Sequence, residues 1–342
     1  MIGTTAVPPR RDAAVAGARR ASRTTMDETT PSPAEGAPVH PAQEPPPSGT
    51  GDRRAHARRQ TGDATRALRE FEGLISVVVP TFNEADRIAL CLKETDDAML
   101  QLGCRYEILV VDDGSTDGTL EVARAAVSAV HARRFVGTSV NLGKGSALIR
   151  GMQVAQGALV LFLDADLEVH PRQLALLYDT MLREHADVVI GSKLHPEAKI
   201  DYPLSRRILS GGYYLLVRVL FRLPVRDTQT GLKLYRRGVL ERVGPRLLVK
   251  RFAHDLEALV NARRLGYRLA EAPVVVTRER EFPRITAADV VRTAQDTAAV
   301  FYRTYLTRYY DRVGRHVDRA LGEAPPGWKH VEGEPADQSH RR

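Results

Sequence analysis

The apolar positions of this chain change their period from segment to segment, and the changes predict the elements. Residues 1–70 show no sustained period. Pro, Ala, Arg, Ser and Thr dominate, and Pro45-Pro46-Pro47 sits among polar neighbours. A segment of that kind cannot bury enough apolar surface to offset its conformational entropy, so residues 1–70 are expected to form a disordered extension. At Leu74 the pattern becomes a β-branched run, Leu74-Ile75-Ser76-Val77-Val78-Val79, which stops at Pro80. Such runs read as buried parallel strands. Ile88, Leu92, Met99 and Leu102 then recur on one helical face. The strand pattern returns at Tyr106–Val111, and a helix is predicted from about Thr119 to Val130 behind a loop of turn residues and helix caps. A short strand near Phe135, a helix after Asn141–Ser146, a strand at Leu159–Leu163, a helix from Pro171 to about Glu184 and a strand at Asp187–Gly191 follow.

Strand and helix alternate throughout residues 74–191, which predicts the α/β class, with a mostly parallel sheet covered on both faces. The rhythm then changes. Leu204–Leu223 reads as a helix, Arg226–Tyr235 as a polar turn feeding a short strand, Asp255–Leu265 as a helix and Arg268–Val276 as a strand. Ala287–Tyr310 reads as one long amphipathic helix. Residues 71–312 are expected to form the folded domain and 313–342 a second disordered tail. No internal repeat is visible. No run reaches the roughly 18 apolar residues of a spanning helix, so none is expected. The Arg10-Arg11 and Arg19-Arg20 pairs lack a following apolar stretch, so no signal peptide is expected.

With 342 residues the chain can form one large domain or two small ones, and its formal charge is +8. A basic balance suits nucleic acid, a membrane surface or phosphorylated small molecules. No zinc-finger spacing or aromatic RNA-binding motif is present, so nucleic acid is not expected as a partner. Cys91 falls on the apolar stripe of its helix, and with Cys104 it is expected to be a reduced structural thiol in a cytoplasmic protein.

The candidate chemistry lies at strand ends. The run Leu159–Leu163 leads straight into Asp164-Ala165-Asp166. Side chains two apart on a strand point the same way, so both carboxylates are expected to face one point past the strand's C-terminal edge. Ligands of open α/β sheets bind at that edge. Paired hard oxygen donors suit Mg²⁺ or Mn²⁺, ions that also hold substrate phosphates. Pro80–Glu84 and Asp112-Asp113 end two further strands on the same edge. Like charges gathered there repel unless a cation or ligand donors offset them, which points to a nucleotide-plus-metal site. Gly143-Lys144-Gly145 fits neither the phosphate-binding loop nor the dinucleotide fingerprint, because Gly145 and Leu148 stand where those motifs need other residues. It remains a cationic helix N-terminus suited to anions.

Together, Val78-Val79-Pro80-Thr81-Phe82-Asn83-Glu84, Val110-Val111-Asp112-Asp113-Gly114-Ser115-Thr116-Asp117, Asn141-Leu142-Gly143-Lys144-Gly145 and Asp164-Ala165-Asp166 strongly resemble family 2 glycosyltransferases of the GT-A fold. Gly191-Ser192-Lys193, the Arg226–Tyr235 segment and Arg251-Phe252-Ala253-His254-Asp255-Leu256-Glu257 resemble the branch of dolichyl-phosphate glucosyl- and mannosyltransferases, the glucosyl type more closely. The resemblance implies that 74–191 is the nucleotide-sugar half and 192–312 the acceptor-side half. It implies that Pro80, Phe82, Glu84 and Asp113 line the base and ribose pocket and that Asp164 and Asp166 hold the metal, with Glu168 as a third ligand. Lys144, Lys193, Arg206, Arg207 and Lys233 are expected near the phosphates of the sugar donor, with Asp166, Lys233 and Asp255 in catalytic roles. Two departures stand out. Lys193 occupies a position usual for Arg, and Arg278–Pro283 lacks the Gly-x-Ser-Lys-Leu tract of many lipid-phosphate enzymes.

The implied activity is inverting transfer of a hexose from a UDP- or GDP-sugar to a polyprenyl phosphate. A phosphate oxygen is already anionic and needs no base, whereas a soluble hydroxyl acceptor does. Asp255 fits either that base or a simple N-cap of the following helix. Peripheral membrane contact is a further expectation. Tyr213, Tyr214, Leu215, Val217, Leu220 and Phe221, and the basic amphipathic helix near Val300–Leu306, suit either packing on the sheet or lying in an interface. A nucleotidyltransferase and a non-enzymatic nucleotide-sugar sensor are the remaining rivals.

Overall fold

The computed structural model describes residues 62–126, 133–198, 204–250, 253–276 and 287–321, with backbone alone at 204–209, 287–289 and 320–321. A helix α1 (62–69) precedes β1 (Leu74–Thr81), α2 (Ile88–Leu102), β2 (Arg105–Asp112), α3 (Thr119–Ala125), β3 (Arg133–Gly137), α4 (Lys144–Val154) and β4 (Leu159–Phe162). Then come α5 (Leu174–Arg183), β5 (Val188–Ser192), α6 (Leu204–Phe221), β6 (Lys233–Arg236), α7 (Arg237–Val243), α8 (His254–Arg264), β7 (Leu269–Pro273), α9 (Ala287–Phe301) and α10 (Tyr309–Leu321). The strands form one sheet in the order β3-β2-β1-β4-β6-β5-β7.

The largely apolar strand runs explain its burial. Ile75, Val77 and Val79 face one layer, with α1, α2 and α5. Val78 faces the other, with residues of α4, α6, α7 and α8. Period-2 alternation splits each strand between two cores, so both faces of the sheet are covered and most central positions are apolar, the buried Ser76 of β1 being paired with Glu107 of β2. β1, β2 and β4 are parallel and nearly in register, with Thr81 opposite Asp112 and Val78 opposite Phe162. β6 runs antiparallel to β4 and β5, pairing Lys233 with both Phe162 and Ile190. The start of β6 therefore lies on the same edge as the ends of β1, β2, β4 and β5. A later strand inserted between β4 and β5 is a long-range pairing that local periodicity does not encode.

The boundaries differ from expectation at both ends. The extension expected over 1–70 gives way to structure by residue 62, because Ala64 and Leu68 of α1 are buried in the α2–α5 core; residues 1–61 lie outside the described residues. The tail expected from 313 begins no earlier than 322. α10 runs to Leu321, and the buried Arg246 guanidinium holds Asp318 at 2.7 Å. The long helix expected to end at Tyr310 is interrupted by a π-helical turn, Tyr302–Leu306, and by Arg308 in the left-handed region at φ 49°. Leu68 is fully buried, so Leu68→Ala is expected to destabilise the protein by about 2–5 kcal/mol through lost burial and the cavity left behind. Chemical denaturation checks this, and an unchanged midpoint would mean that α1 does not pack as described.

Cys91 and Cys104 are free cysteines, as expected. Burial pushes the thiols up to about 12 and about 11, respectively, which leaves both unreactive near neutral pH. No helix among the described residues is long and apolar enough to cross a membrane.

Candidate active site

The strand ends converge as the sequence implies, but turns and loop clamps set their geometry. β4 stops at Phe162, before the first Asp. Strand alternation therefore does not aim the carboxylates. A turn does, closed by the Leu167 N–H on the Asp164 carbonyl and by the Glu168 N–H on Asp166 Oδ1 at 3.0 Å. Leu167 sits at φ 54°, a strained conformation for a branched side chain. Across the edge, Lys144 at the start of α4 places its ammonium 2.6 Å from Asp164 Oδ1.

The other two strand ends are organised by carboxylates that accept backbone N–H groups. Asp112 accepts from the backbone and hydroxyl of Ser115. The buried Asp113 accepts from the Leu142 N–H at 3.0 Å and the Gly143 N–H at 2.6 Å. It thereby fixes the loop that presents Lys144. Pro80 is buried at the end of β1, Phe82 is 42% exposed, and Glu84 is partly buried and 3.6 Å from Arg87. Asn83, in the left-handed region at φ 53°, accepts from the Thr116 N–H.

On the acceptor side, Asp255 and Lys233 form a buried ion pair at 2.8 Å, and the Lys233 ammonium also donates to the Thr230 carbonyl. Lys233 is 1% exposed, so this ammonium is committed to the protein and is not an open phosphate ligand. Asp255 is not the N-cap of α8. Ala253 holds that position, and Asp255 lies in the first turn. Burial pushes its carboxyl up, but Lys233, Lys144 and His254 outweigh burial and hold it below the ordinary range. Lys144 lies within electrostatic reach of Asp164, Asp255 and Asp166. Burial alone would lower its amine, and the carboxylates raise it above the ordinary value. His254 is pushed down by burial. Its Nδ1 faces the Val249 carbonyl, and its Nε2 is buried with no hydrogen-bond partner among the described residues, as is the Tyr235 hydroxyl. Buried polar atoms of that kind mark a place for a polar ligand or water.

Lys193 is drawn toward the site, but it pairs with Glu168 at 2.8 Å. Glu168 is therefore not brought in as a third metal ligand, and no group of three His, Cys, Asp or Glu side chains among the described residues is arranged to hold a metal. Asp164 and Asp166 still fit a divalent cation. Mg²⁺ typically uses one or two carboxylates plus substrate phosphates, and Asp164 already sits against one cationic group, the Lys144 ammonium at 2.6 Å. The side chains of Arg206 and Arg207 lie outside the described residues, as do Arg251, Phe252 and Arg278–Pro283.

Two positions with structural influence carried no role in the sequence reading. The buried Asp227 accepts from the backbone N–H groups of Lys193, Gln229 and Thr230. Its signal was the Asp227-Thr228-Gln229-Thr230-Gly231 turn composition. Gly231 is the second. A Cβ there would stand 2.1 Å from Asp164 Oδ2 and 2.2 Å from its carboxyl carbon. Gly231→Ala is therefore expected to swing Asp164 off Lys144 and cut transfer at least about tenfold, the cost of misplacing a positioned group. Steady-state kinetics on the folded variant checks this, and wild-type kcat would show that the close approach is not needed.

Comparison with known proteins places this geometry. The family model "Glycosyl transferase family 2" matches residues 76–244. "Glycosyltransferase AglD" of Haloferax volcanii is 31% identical over 68% of this chain, an alignment that spans only 37% of AglD's own length. "Dolichyl-phosphate beta-glucosyltransferase ALG5A" of Trichomonas vaginalis is 32% identical over 70% of this chain and 76% of its own. Among solved structures, the glucosyl-3-phosphoglycerate synthase of Mycobacterium tuberculosis in complex with Mn²⁺, UDP and glucosyl-3-phosphoglycerate superposes with a TM-score of 0.52. It is 23% identical and covers 71% of this chain and 82% of its own, a likeness of fold. The chain thus belongs to glycosyltransferase family 2, as a hexosyltransferase with a GT-A fold.

Proposed function

We propose that the protein transfers a hexose, with inversion, from a UDP- or GDP-sugar to a polyprenyl phosphate, using Mg²⁺ or Mn²⁺. The observation that carries this reading is the state of Asp255. A carboxylate buried against Lys233, with its acidity increased, is a poor proton acceptor. A site with so weak a base suits an acceptor that is already ionised. The dolichyl-phosphate glucosyltransferase of Trichomonas vaginalis supports the same acceptor class.

In this reading Asp164 and Asp166 would hold the cation, which when bound would supply positive charge for the leaving diphosphate. Lys144 adds a fixed positive charge at the same place and, held by the Asp113 clamp, requires little reorganisation during transfer. The exposed ring of Phe82 offers a face for the base, beside Pro80, Glu84 and Asp113. Lys193 aids the phosphates after exchanging Glu168 for them. Lys233 acts indirectly, by keeping Asp255 ionised and fixed.

Incubation with UDP-[¹⁴C]glucose or GDP-[¹⁴C]mannose tests the proposal, with polyprenyl phosphate or an aqueous metabolite extract as the acceptor source. Label in an organic-soluble, acid-labile product together with free nucleoside diphosphate is expected. Label only in aqueous glycosides would move the assignment to a soluble hydroxyl acceptor. Release of inorganic diphosphate would make it a nucleotidyltransferase, and no metal-dependent turnover at all would leave a binding protein.

A further inference from the structure

A cavity of about 750 Å³ lies between the end of α6 and the edge strand β7, and none of Asp112, Asp113, Asp164 or Asp166 lines it. Tyr214, Arg218, Arg222 and Arg226 line it together with His195, Glu184 and Glu271. Glu271 is already occupied. Its Oε1 accepts the Arg226 and Asp227 N–H groups at 2.6 and 3.0 Å. Arg218 donates to the Tyr214 hydroxyl and stacks on its ring, and none of the three arginines forms an ion pair among the described residues.

Arg222 is held in the left-handed region at φ 53°, directly after α6, where glycine would be relaxed. Chain geometry at that position therefore does not call for arginine.

The same helix carries an apolar ridge. Tyr214 and Arg218 lie four residues apart on one row, with Arg222 just past the end of the helix, and Leu215 and Val219 form the adjoining row. Leu215 is 60% exposed, Val219 68% and Leu216 42%, while Val217 and Phe221 on the opposite face are buried. Exposed aliphatic side chains along a row of arginines that lack carboxylate partners make an amphipathic surface of the interfacial kind.

We propose that this cavity and ridge form one docking surface for an anionic lipid bilayer. A lipid phosphate seats among Arg218, Arg222 and Arg226, and acyl chains lie against Leu215, Leu216 and Val219. Charge complementarity selects this occupant: guanidinium groups match phosphate bidentately, and the ridge beside them needs an apolar partner. The surface does not depend on which sugar or acceptor the enzyme uses. Because Arg226 adjoins Asp227, the site borders the loop that carries Gly231 to Asp164.

Vesicle flotation of the full chain tests the proposal, with phosphatidylcholine alone against phosphatidylcholine containing phosphatidylglycerol. Binding is expected to the anionic vesicles and to fall with salt. Arg218→Ala with Arg222→Gly is expected to weaken it at least about tenfold, from roughly a kilocalorie per mole for each basic residue at an anionic surface. Leu215→Ser with Val219→Ser should do the same. The glycine at position 222 suits the backbone, so the melting temperature of that variant should hold or rise, which separates a lost ligand contact from a lost fold. Equal binding to neutral vesicles, unchanged binding in either double variant, protection by free glycerol phosphate without vesicle binding, or a dimer in light scattering that Leu215→Ser with Val219→Ser dissolves would each overturn the proposal.

Discussion

Asp166→Ala is expected to lower kcat by at least 10²–10³-fold, on the order of what removing one positioned transition-state contact costs. Asp166 sits past the end of β4 on the ligand edge, outside the core, and its carboxylate accepts the Glu168 N–H within the same turn. The variant should therefore lose about 1 kcal/mol of stability, the net value of one hydrogen bond, and remain folded. A second reading of the same variant is independent of turnover. Mn²⁺ with UDP should raise the melting temperature of the parent protein and not that of Asp166→Ala, because ligand stabilisation follows site occupancy. Excess EDTA should silence the parent, with Mn²⁺ or Mg²⁺ restoring it. Full transfer in EDTA, or wild-type rate in the variant, would end the metal assignment.

Asp255→Asn is expected to affect stability more than catalysis. Its partner Lys233 is almost wholly buried, and neutralising one member of a buried pair leaves the other charge uncompensated. Losses of this kind run to about 3–5 kcal/mol, with the amide's remaining hydrogen-bonding capacity favouring the lower end. At about 3 kcal/mol the melting temperature should fall by roughly 6–12 °C. The linkage has a definite sign. The folded carboxyl is held below its ordinary value, so the pair's contribution is present above the unfolded pKa of about 3.9 and disappears as pH falls through the lower folded value. The difference between parent and variant should therefore be constant near neutrality and close only in acid. Transfer, measured where the variant is folded, should drop less than about tenfold with a phosphate acceptor. A missing general base would cost about 10²–10⁴-fold. A fall beyond a hundredfold with nucleotide-sugar binding intact would assign Asp255 as a base and move the acceptor to a hydroxyl.

Alternation, class and ligand edge all follow from the apolar periodicity alone. Apolar runs at Ile75–Val79, Tyr106–Val111 and Leu159–Leu163, broken only by Ser76 and Glu107, admit few solutions other than strands buried on both faces, and parallel neighbours then bring their C-terminal residues to one side. Hence Asp112, Asp113, Asp164 and Asp166 were legible as one cluster, and the apolar stripe from Ile88 to Leu102 was legible as α2. What each charge faces emerges only when the chain is packed. Lys233 is an ordinary basic residue in the sequence, but the antiparallel insertion of β6 between β4 and β5 buries it against Asp255. Glu168 looks like a metal ligand until β5 brings Lys193 to it. Arg246 and Asp318, 72 residues apart, join only because α10 returns to the domain. Gly231 has meaning only once Asp164 is 2.1 Å from where its Cβ would be. Periodicity reports which face of an element is apolar, and it does so within a few residues. Ion pairs and close approaches depend on which distant segments become neighbours, and that is set when the two cores close around the sheet.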